Sequence, residues 1–308
     1  FDRPALVQFA QDSISRGSKS FRFASRLFDR ITRERVWLLY AWCRKCDDMA
    51  DGQDHGGAMA AVTDPQESLA AIRTLTAKAL AGTPTGEPAF DCLGVVAREC
   101  GITARMAEDV IEGFALDAAD WHPRRESDLY QYCYHVAGAV GVMMAVVMGV
   151  PADDDATLDR ACDLGLAFQL ANIARDIAED DAAGRCYLPD DWLAMLDIGP
   201  GEHMKPHNRK KLALMGRWLA DEAEQYEASA RVGAAHLPLR ARWAVLSAAG
   251  IYGEIARKVR AADSHAWDQR IFTSRPEKFR WVRKAFVDAV ANNPRAMDRD
   301  ALWTRTRV

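Results

Sequence analysis

The sequence predicts an all-α protein, and three observations lead to this fold class. Apolar residues recur three and four positions apart, the spacing of a helix face, along nearly the whole chain of 308 residues. Segments in which apolar and polar residues alternate, as they do in strands, are scarce. Glycine, proline and aspartate collect at intervals and divide the helical pattern into separate helices.

Each candidate helix lies between two such breaks. Before the glycine-rich stretch 52–65 we expect helices at 4–15, 18–28 and 31–51. Breaks at 82–88 and 120–123 separate the next helices, at 66–81, 87–98 and 103–117. Breaks at 150–155, 199–208 and 237–238 separate the last ones, at 126–148, 155–180, 189–196, 208–232, 239–261 and 276–291.

No linker in the chain is long or biased enough to divide it. No internal repeat of about 20 to 50 residues occurs either. The sequence therefore predicts a single domain over residues 1–308, with a polar tail, 293–308, that we expect to be frayed.

Composition excludes several classes of protein. Hydrophobic residues make up 49% of the chain, enough for a large core, and the net charge of −4 without a Lys/Arg block argues against nucleic acid as a partner. No run of 18 or more apolar residues suggests a membrane span, and no signal peptide is evident. Seven scattered cysteines predict reduced thiols and a cytoplasmic protein, with Cys43 and Cys46 more typical of packing than of a metal or redox pair.

Two of the predicted helices are apolar around much of their circumference, namely residues 130–150 and 161–174. Such helices belong in the middle of a bundle. Gly138 and Gly141 on the first of them permit a close approach to the backbone, either by another helix or by a ligand.

One helix face is unusually rich in carboxylates. At about 100° per residue, Asp47 and Asp51 stack on one side of the helix and Asp48 lies beside them. Arg44 lies one turn earlier, and Tyr40 one turn before that. A solvated face with i,i+4 ion pairs is the ordinary explanation, but it fits poorly because these like charges have little local Lys or Arg to offset them.

A second helix repeats the design. Gln169, Asn172, Asp176 and Asp180 follow one face at spacings of 3, 4 and 4, with Arg175 beside them. Oxygen ligands of this kind suit Mg²⁺, which usually takes one or two carboxylates together with waters and substrate phosphates. Two such faces indicate a site for Mg²⁺ and a diphosphate, in which Arg44 and Arg175 donate to phosphate oxygens.

A third polar element lies near the N-terminus, at a predicted helix start where backbone N–H groups favour anions. By itself it is a weak motif that also fits an ordinary helix cap. It consists of Gly17, Ser18, Lys19, Ser20 and Phe21.

These residues together resemble the squalene/phytoene synthase family, and within it the bacterial phytoene synthases, over residues 5–290. The motifs that carry the resemblance are Ser18-Lys19-Ser20-Phe21, Tyr40-Ala41-Trp42-Cys43-Arg44 with Asp47-Asp48 and Asp51, Glu112-Gly113-Phe114, Tyr132-Cys133-Tyr134-His135-Val136-Ala137-Gly138, Phe168-Gln169-Leu170 with Asn172-Ile173-Ala174-Arg175-Asp176-Ile177, and Gly184-Arg185-Cys186-Tyr187-Leu188-Pro189.

The resemblance implies a class I isoprenoid synthase fold, a helical bundle around a central cavity. It also implies that two geranylgeranyl diphosphates condense head to head, through prephytoene diphosphate, to 15-cis-phytoene in carotenoid biosynthesis. The implied metal is Mg²⁺, for which Mn²⁺ substitutes, and NADPH is not expected.

The resemblance also assigns residues. The implied metal ligands are Asp47, Asp48, Asp51, Asn172, Asp176 and Asp180. The implied catalytic residues are Asp47, Asp51, Asp176, Arg44, Arg175 and Tyr40. The implied substrate-binding residues are Gly17, Ser18, Lys19, Ser20, Phe21, Tyr40, Arg44, Tyr132, Gly138, Val140, Gly141, Gln169 and Arg175.

The sequence departs from the family pattern in three places. Ala171 stands where many relatives carry Thr, and the Glu179-Asp180 ending of the second acidic motif resembles its squalene-synthase variant. The region of Asp263 to His265 lacks a late Tyr that some relatives place near the diphosphate. Three alternatives stay open: a squalene or dehydrosqualene synthase that uses farnesyl diphosphate, a terpene cyclase, and a non-catalytic helical scaffold. Because substrate and product are hydrocarbon-rich, peripheral membrane contact through residues 190–216 and contact with neighbouring carotenoid enzymes are further expectations.

Overall fold

The computed structural model describes residues 2–17, 24–51, 65–119 and 121–307. The longer helices are α1 (Arg3–Gly17), α2 (Arg30–Asp51), α3 (Pro65–Leu80), α4 (Pro88–Cys100), α5 (Ala104–Ala118), α6 (Glu126–Cys133), α7 (Ala139–Val147), α8 (Asp155–Ala182), α9 (Asp190–Met195), α10 (Arg209–Ala234), α11 (Leu239–Ala262) and α12 (Arg275–Ala291). No strand occurs within these ranges, which confirms the predicted all-α class.

The centre of the bundle is α8, the 28-residue helix whose second half carries the predicted polar face. It packs most extensively against α10 and also against α7 and α11. Its buried positions lie around much of its circumference, and the polar side chains of its C-terminal half line a cavity. This position places the polar face at the inside of the bundle.

The predicted helix 126–148 is interrupted. Residues Tyr134–Gly138 form a π-helical turn between α6 and α7. Helical spacing of apolar residues does not distinguish a π turn from an α turn, because both keep the chain helical. The irregularity lies directly beside α5 and α8.

The crossing of α7 and α8 explains two glycines. A Cβ atom at Gly141 would lie 2.6 Å from the carbonyl oxygen of Ala161, and one at Gly138 would lie 2.7 Å from Cδ1 of Leu166. Both clashes are with α8, so the structure favours close helix packing, one of the two roles considered for these glycines. Substrate contact at Gly138 and Gly141 stays a prediction.

The predicted helix 18–28 is wrong at its C-terminal end. Helical structure ends at residue 25, and residues 26–28 form a turn. Asp29 then caps the N-terminus of α2, since its carboxylate accepts a hydrogen bond from the backbone N–H of Thr32 at 3.0 Å. This cap and the burial of Phe28 hold the chain in a turn where its composition alone indicates a helix.

The tail also differs from the expectation of fraying. Arg299 forms a two-pronged ion pair with the fully buried Asp163, at 2.7 and 2.8 Å. Arg305 lies 2.8 Å from Asp159, and Leu302 is buried in the main core. The polar residues of the tail are partners of buried acids on α8, which the sequence alone does not reveal.

Candidate functional site

A cavity of about 660 Å³ lies between the C-terminal ends of α2, α5 and α8, the α6–π segment and the loop that follows α8. Its wall is formed by Asp47, Ala50, Pro65, Phe114, Asp117, Ala118, Tyr132, Val136, Gln169, Asn172, Ile173, Arg175, Asp176, Asp180, Arg185 and Tyr187. Both predicted polar faces therefore contribute to one cavity.

The second polar face lies as its spacing predicts. Gln169, Asn172, Asp176 and Asp180 all line the cavity, and so does Arg175. Positions separated by three and four residues face the same side of a helix, and α8 is continuous through the whole set. The helix thus presents two amide and two carboxylate side chains in a row.

Asp176 is held between two arginines. The guanidinium of Arg175 makes a two-pronged contact with its carboxylate, with Nε 2.6 Å from Oδ1. Arg270, from the segment between α11 and α12, places Nη2 3.1 Å from the same Oδ1. The exposed Glu179 lies at 3.9 Å from Arg270 and completes the group.

Asp180 lies one turn further along α8, and its surroundings oppose its ionisation. Burial, followed by the repulsion of Asp176, raises its pKa to about 6, and Arg185 offsets only part of this. A carboxyl group whose ionisation is opposed in this way favours a nearby cation. The negative charge of ionised Asp180 is therefore only partly compensated, and a cation bound at the end of α8 would stabilise it.

Of the residues on the first polar face, some line the cavity and others lie in the protein interior. Asp47 lines the cavity. Arg44 bridges the two acids that follow it, at 2.9 Å from Asp47 and 2.6 Å from Asp48. Asp48 is buried and is absent from the cavity wall, which favours a role in positioning Arg44 over direct contact with a metal.

Tyr40 lies one turn before Arg44 and is half-buried, and burial raises the pKa of its phenol. Like Arg44, Tyr40 is absent from the lining of the cavity. The side chain of Asp51, at the end of α2, lies outside the described residues. So do the predicted phosphate-binding residues Ser18, Lys19, Ser20 and Phe21, whereas Gly17 ends α1.

The donors of the cavity fit a Mg²⁺ ion that a substrate helps to bind. Asp47, Asn172, Asp176 and Asp180 offer the hard oxygen ligands that Mg²⁺ prefers. Across the described residues, no three His, Cys, Asp or Glu side chains are close enough to hold a metal by themselves.

Aromatic side chains also line the cavity, among them Phe114, Tyr132 and Tyr187. Tyr132 stacks against Trp121, at 5.1 Å between ring centroids, and against Tyr187, at 4.9 Å. The hydroxyl of Tyr132 donates to Asp117 at 2.9 Å. Because burial strongly raises the pKa of Tyr132, its phenol stays neutral, and the side chain is part of the cavity lining.

Several residues of the site were not assigned from the sequence. Arg270 and Asp117 lie outside the motifs singled out in the sequence. Arg185 and Tyr187 lie within the quoted motif after α8, which is the signal that identifies them.

Tyr252 was missed as well. It stacks on Phe168 at 4.3 Å, and its phenol is close enough to Arg175 for the guanidinium to lower its pKa against the larger effect of burial. The sequence showed no tyrosine in the region of Asp263 to His265; Tyr252 reaches the site from one element earlier, on α11.

Val140 is half-buried on α7 and is absent from the cavity wall, whereas Val136, one turn earlier, lines it. The hydrocarbon-binding role of Val140 stays a prediction. Val136 belongs to the π turn, so the irregular segment itself forms part of the cavity.

Comparison with known proteins agrees with the resemblance. A family model described as squalene/phytoene synthase matches residues 14–277. The phytoene synthase of Pseudescherichia vulneris is 46% identical over 307 residues, which are 98% of this chain and 99% of that protein. The 15-cis-phytoene synthase of Pantoea ananas is 46% identical and covers 96% of each chain.

Solved structures show the same fold. A dehydrosqualene synthase in complex with a ligand superposes with a TM-score of 0.82 at 26% identity, over 94% of this chain and 98% of that one. A squalene synthase from Alicyclobacillus acidocaldarius gives a TM-score of 0.74 over 85% of this chain and 95% of that one. These neighbours confirm the isoprenoid synthase fold predicted from the sequence, and the chain is a member of the squalene/phytoene synthase family.

Proposed function

We propose that this protein is a 15-cis-phytoene synthase, which condenses two geranylgeranyl diphosphates head to head. One observation carries the proposal: acids from α2 and α8 line a single cavity together with aromatic side chains. A diphosphate and a carbocation have opposite charges, and this cavity contains side chains suited to each. The 46% identity to two relatives named as phytoene synthases supports the C20 substrate.

The polar wall binds and orients the leaving group. Arg175 and Arg270 supply fixed positive charge for diphosphate oxygens. Asp47, Asn172 and Asp176 hold Mg²⁺, and Asp180 supports them. When bound, Mg²⁺ supplies Lewis-acid neutralisation of the diphosphate, and Mn²⁺ substitutes for it.

The aromatic side chains of the cavity protect the carbocation that forms when diphosphate leaves. Loss of the first diphosphate gives an allylic cation, and attack by the double bond of the second substrate, with loss of a proton, forms prephytoene diphosphate. Loss of the second diphosphate, rearrangement and loss of another proton give the C40 product. Tyr132 and Tyr187 exclude water and face the cation with their rings.

A product assay tests this function. The protein is incubated with geranylgeranyl or farnesyl diphosphate and Mg²⁺, each with and without NADPH, and the hydrocarbon is identified. We expect phytoene from the C20 substrate without NADPH. A C30 hydrocarbon as the sole product would instead support a squalene-type or dehydrosqualene-type enzyme, as in the solved neighbour at 26% identity.

We extend the proposal to the domain organisation, the cellular location and the partners of the enzyme. We propose a single catalytic domain that works in the cytoplasm, in peripheral contact with a membrane and next to the carotenoid enzymes before and after it. Among the described helices, none has both the length and the apolar character that crossing a membrane requires.

A further inference from the structure

Exposed apolar side chains are concentrated on one part of the surface. Of the eight large apolar side chains exposed in the described part of the chain, five lie between residues 272 and 290. They are Phe272, Phe279, Phe286, Val287 and Val290, with exposed fractions of 47% to 68%. Scattered apolar residues are normal on a surface, but a contiguous group indicates a contact.

Four of these residues form a second apolar face on α12, and Phe272 lies three residues before the helix. The first face, with Trp281, Ala285 and Ala289 at spacings of four, packs against α11. Phe279 lies on the outer side of the helix, whereas Phe286, seven residues later, is partly exposed and also contacts Trp243 of α11 at 5.1 Å between ring centroids. A surface helix normally has one apolar face, so the outer one requires a partner.

Basic residues accompany the outer face. The 17 residues of α12 include five basic and two acidic side chains, although the whole chain has a net charge of −4. Both acids are already paired with lysines, Glu277 with Lys258 at 2.7 Å and Asp288 with Lys284 at 2.9 Å. Arg280 and Arg283 lie within the apolar group and line a shallow depression with Phe279 and Val287. Arg280 also contacts Glu254 at 3.4 Å, and its side chain stays largely exposed.

We propose that the outer face of α12, defined by Phe279, Arg280, Arg283 and Val287, docks the protein on an anionic lipid surface together with Phe272, which precedes the helix. Basic residues beside exposed Phe and Val are the combination that lets a helix lie in the plane of a membrane interface. A second copy of the chain fits less well, because a symmetric pairing would bring the same cations together.

The proposed surface begins close to the cavity. Phe272 is two residues from Arg270, whose guanidinium lies 3.1 Å from Asp176. Docking through α12 would therefore hold the cavity near the lipid that supplies and accepts long hydrocarbons. The location of the docking surface rests on α12 alone, whereas this use of it rests on the proposed function.

The location differs from the one expected from the sequence. Within residues 190–216, Trp192, Leu193, Leu212 and Met215 are buried in the core. Met195 is the one large apolar side chain of that segment with substantial exposure, at 70%. The apolar composition of 190–216 serves packing, so that segment is a poor candidate for lipid contact.

Vesicle binding tests the proposal with matched pairs of variants. Sedimentation with vesicles of phosphatidylcholine, with and without phosphatidylglycerol, is measured for the wild type, Phe279→Ser/Val287→Ser and Arg280→Gln/Arg283→Gln. Ile31→Ser/Met195→Ser is the apolar control, since both side chains are exposed elsewhere. Lys78→Gln/Lys210→Gln is the charge control, because both lysines are exposed on other helices.

We expect the wild type to prefer vesicles that contain phosphatidylglycerol, and the preference to weaken with salt. The charge variant should lose roughly 30-fold in partitioning and the apolar variant about tenfold or more, whereas both controls keep wild-type binding. Equal binding of the α12 variants and the wild type would overturn the proposal. So would no binding by the wild type, or a dimer in solution that Phe279→Ser/Val287→Ser dissociates.

Turnover is measured in parallel on detergent-dispersed geranylgeranyl diphosphate. The α12 variants should keep wild-type turnover there, because none of the changed residues lines the cavity. A protein that binds vesicles through α12 but forms no hydrocarbon would contradict the proposed function and leave the docking surface standing.

Discussion

Arg175 folds back along α8 and grips Asp176, its neighbour in the chain, with Nε 2.6 Å from Oδ1. Adjacent residues on a helix point about 100° apart, so the long arginine side chain must bend across the helix to reach this carboxylate. Arg270 approaches the same oxygen from another element. The two arginines bring positive charge to the carboxylate that we assign to the metal, where diphosphate oxygens would also lie.

Arg270 should therefore matter for substrate affinity. Arg270→Gln removes one of the two cations beside Asp176, and we expect the KM for geranylgeranyl diphosphate to rise by about tenfold or more, the value of a charge-assisted contact. Arg209→Gln, which removes an exposed arginine paired with Asp268, is the control. An unchanged KM in Arg270→Gln would exclude Arg270 from the diphosphate site.

Asp180 predicts an unusual dependence of stability on pH. Its pKa in the folded protein is raised from 3.8 to about 6, so ionising it opposes folding. The contribution of Asp180 to the free energy of unfolding should fall as pH rises between these two values. Asp180→Asn stays neutral and should lack this fall, which gives it a higher Tm than the wild type at pH 7.5 in EDTA.

Adding Mg²⁺ and diphosphate should reverse that order. The wild type should gain Tm through binding to the folded state, and Asp180→Asn should gain less. Parallel Tm profiles for the two proteins across pH, with and without Mg²⁺, would show that Asp180 neither opposes folding nor supports the metal.

The ring of Tyr132 and its hydroxyl should have separable effects on kcat. Tyr132→Phe keeps the stack with Trp121 and Tyr187 and loses the hydrogen bonds of the hydroxyl with Asp117 and Tyr187, so we expect kcat within about tenfold of the wild type. Tyr132→Leu also removes the π face and should lose about 30-fold more, the value of a desolvated cation–π contact. Equal kcat values for Phe and Leu at this position would exclude a role of the ring in facing a cation.

Stability should depend on the C-terminal tail. Arg299→Ala leaves Asp163, which is fully buried, without its two-pronged partner, and the loss should be about 3–5 kcal/mol in urea unfolding. Arg295→Ala, an exposed position in the same tail, should change the free energy of unfolding by less than about 0.5 kcal/mol. A similar small effect at both positions would mean that the tail contributes little to stability.

What the sequence predicts and what it misses have physical reasons. The face formed by Gln169, Asn172, Asp176 and Asp180 follows from helical periodicity, because all four lie on one continuous helix. Arg270 and Tyr252 reach the site from other elements, and local spacing contains no information about such tertiary neighbours.

The same reasoning explains the errors in the fold. Polar residues after Asn292 look solvated in the sequence, but Arg299 and Arg305 pair with acids on α8 that precede them by more than a hundred residues. The π turn at Tyr134–Gly138 escapes detection because its apolar residues keep a helical pattern.

The central claim is that Asp47 on α2 and Asp176 on α8 act together in metal-dependent condensation. The most direct measurement is phytoene formation from geranylgeranyl diphosphate and Mg²⁺ by the wild type, Asp47→Asn, Asp176→Asn and the control Glu179→Gln, with Tm measured for each. The account predicts phytoene from the wild type and Glu179→Gln, and a loss of about a thousandfold or more in both Asp→Asn variants at nearly unchanged Tm. Full activity in Asp47→Asn or in Asp176→Asn would contradict it.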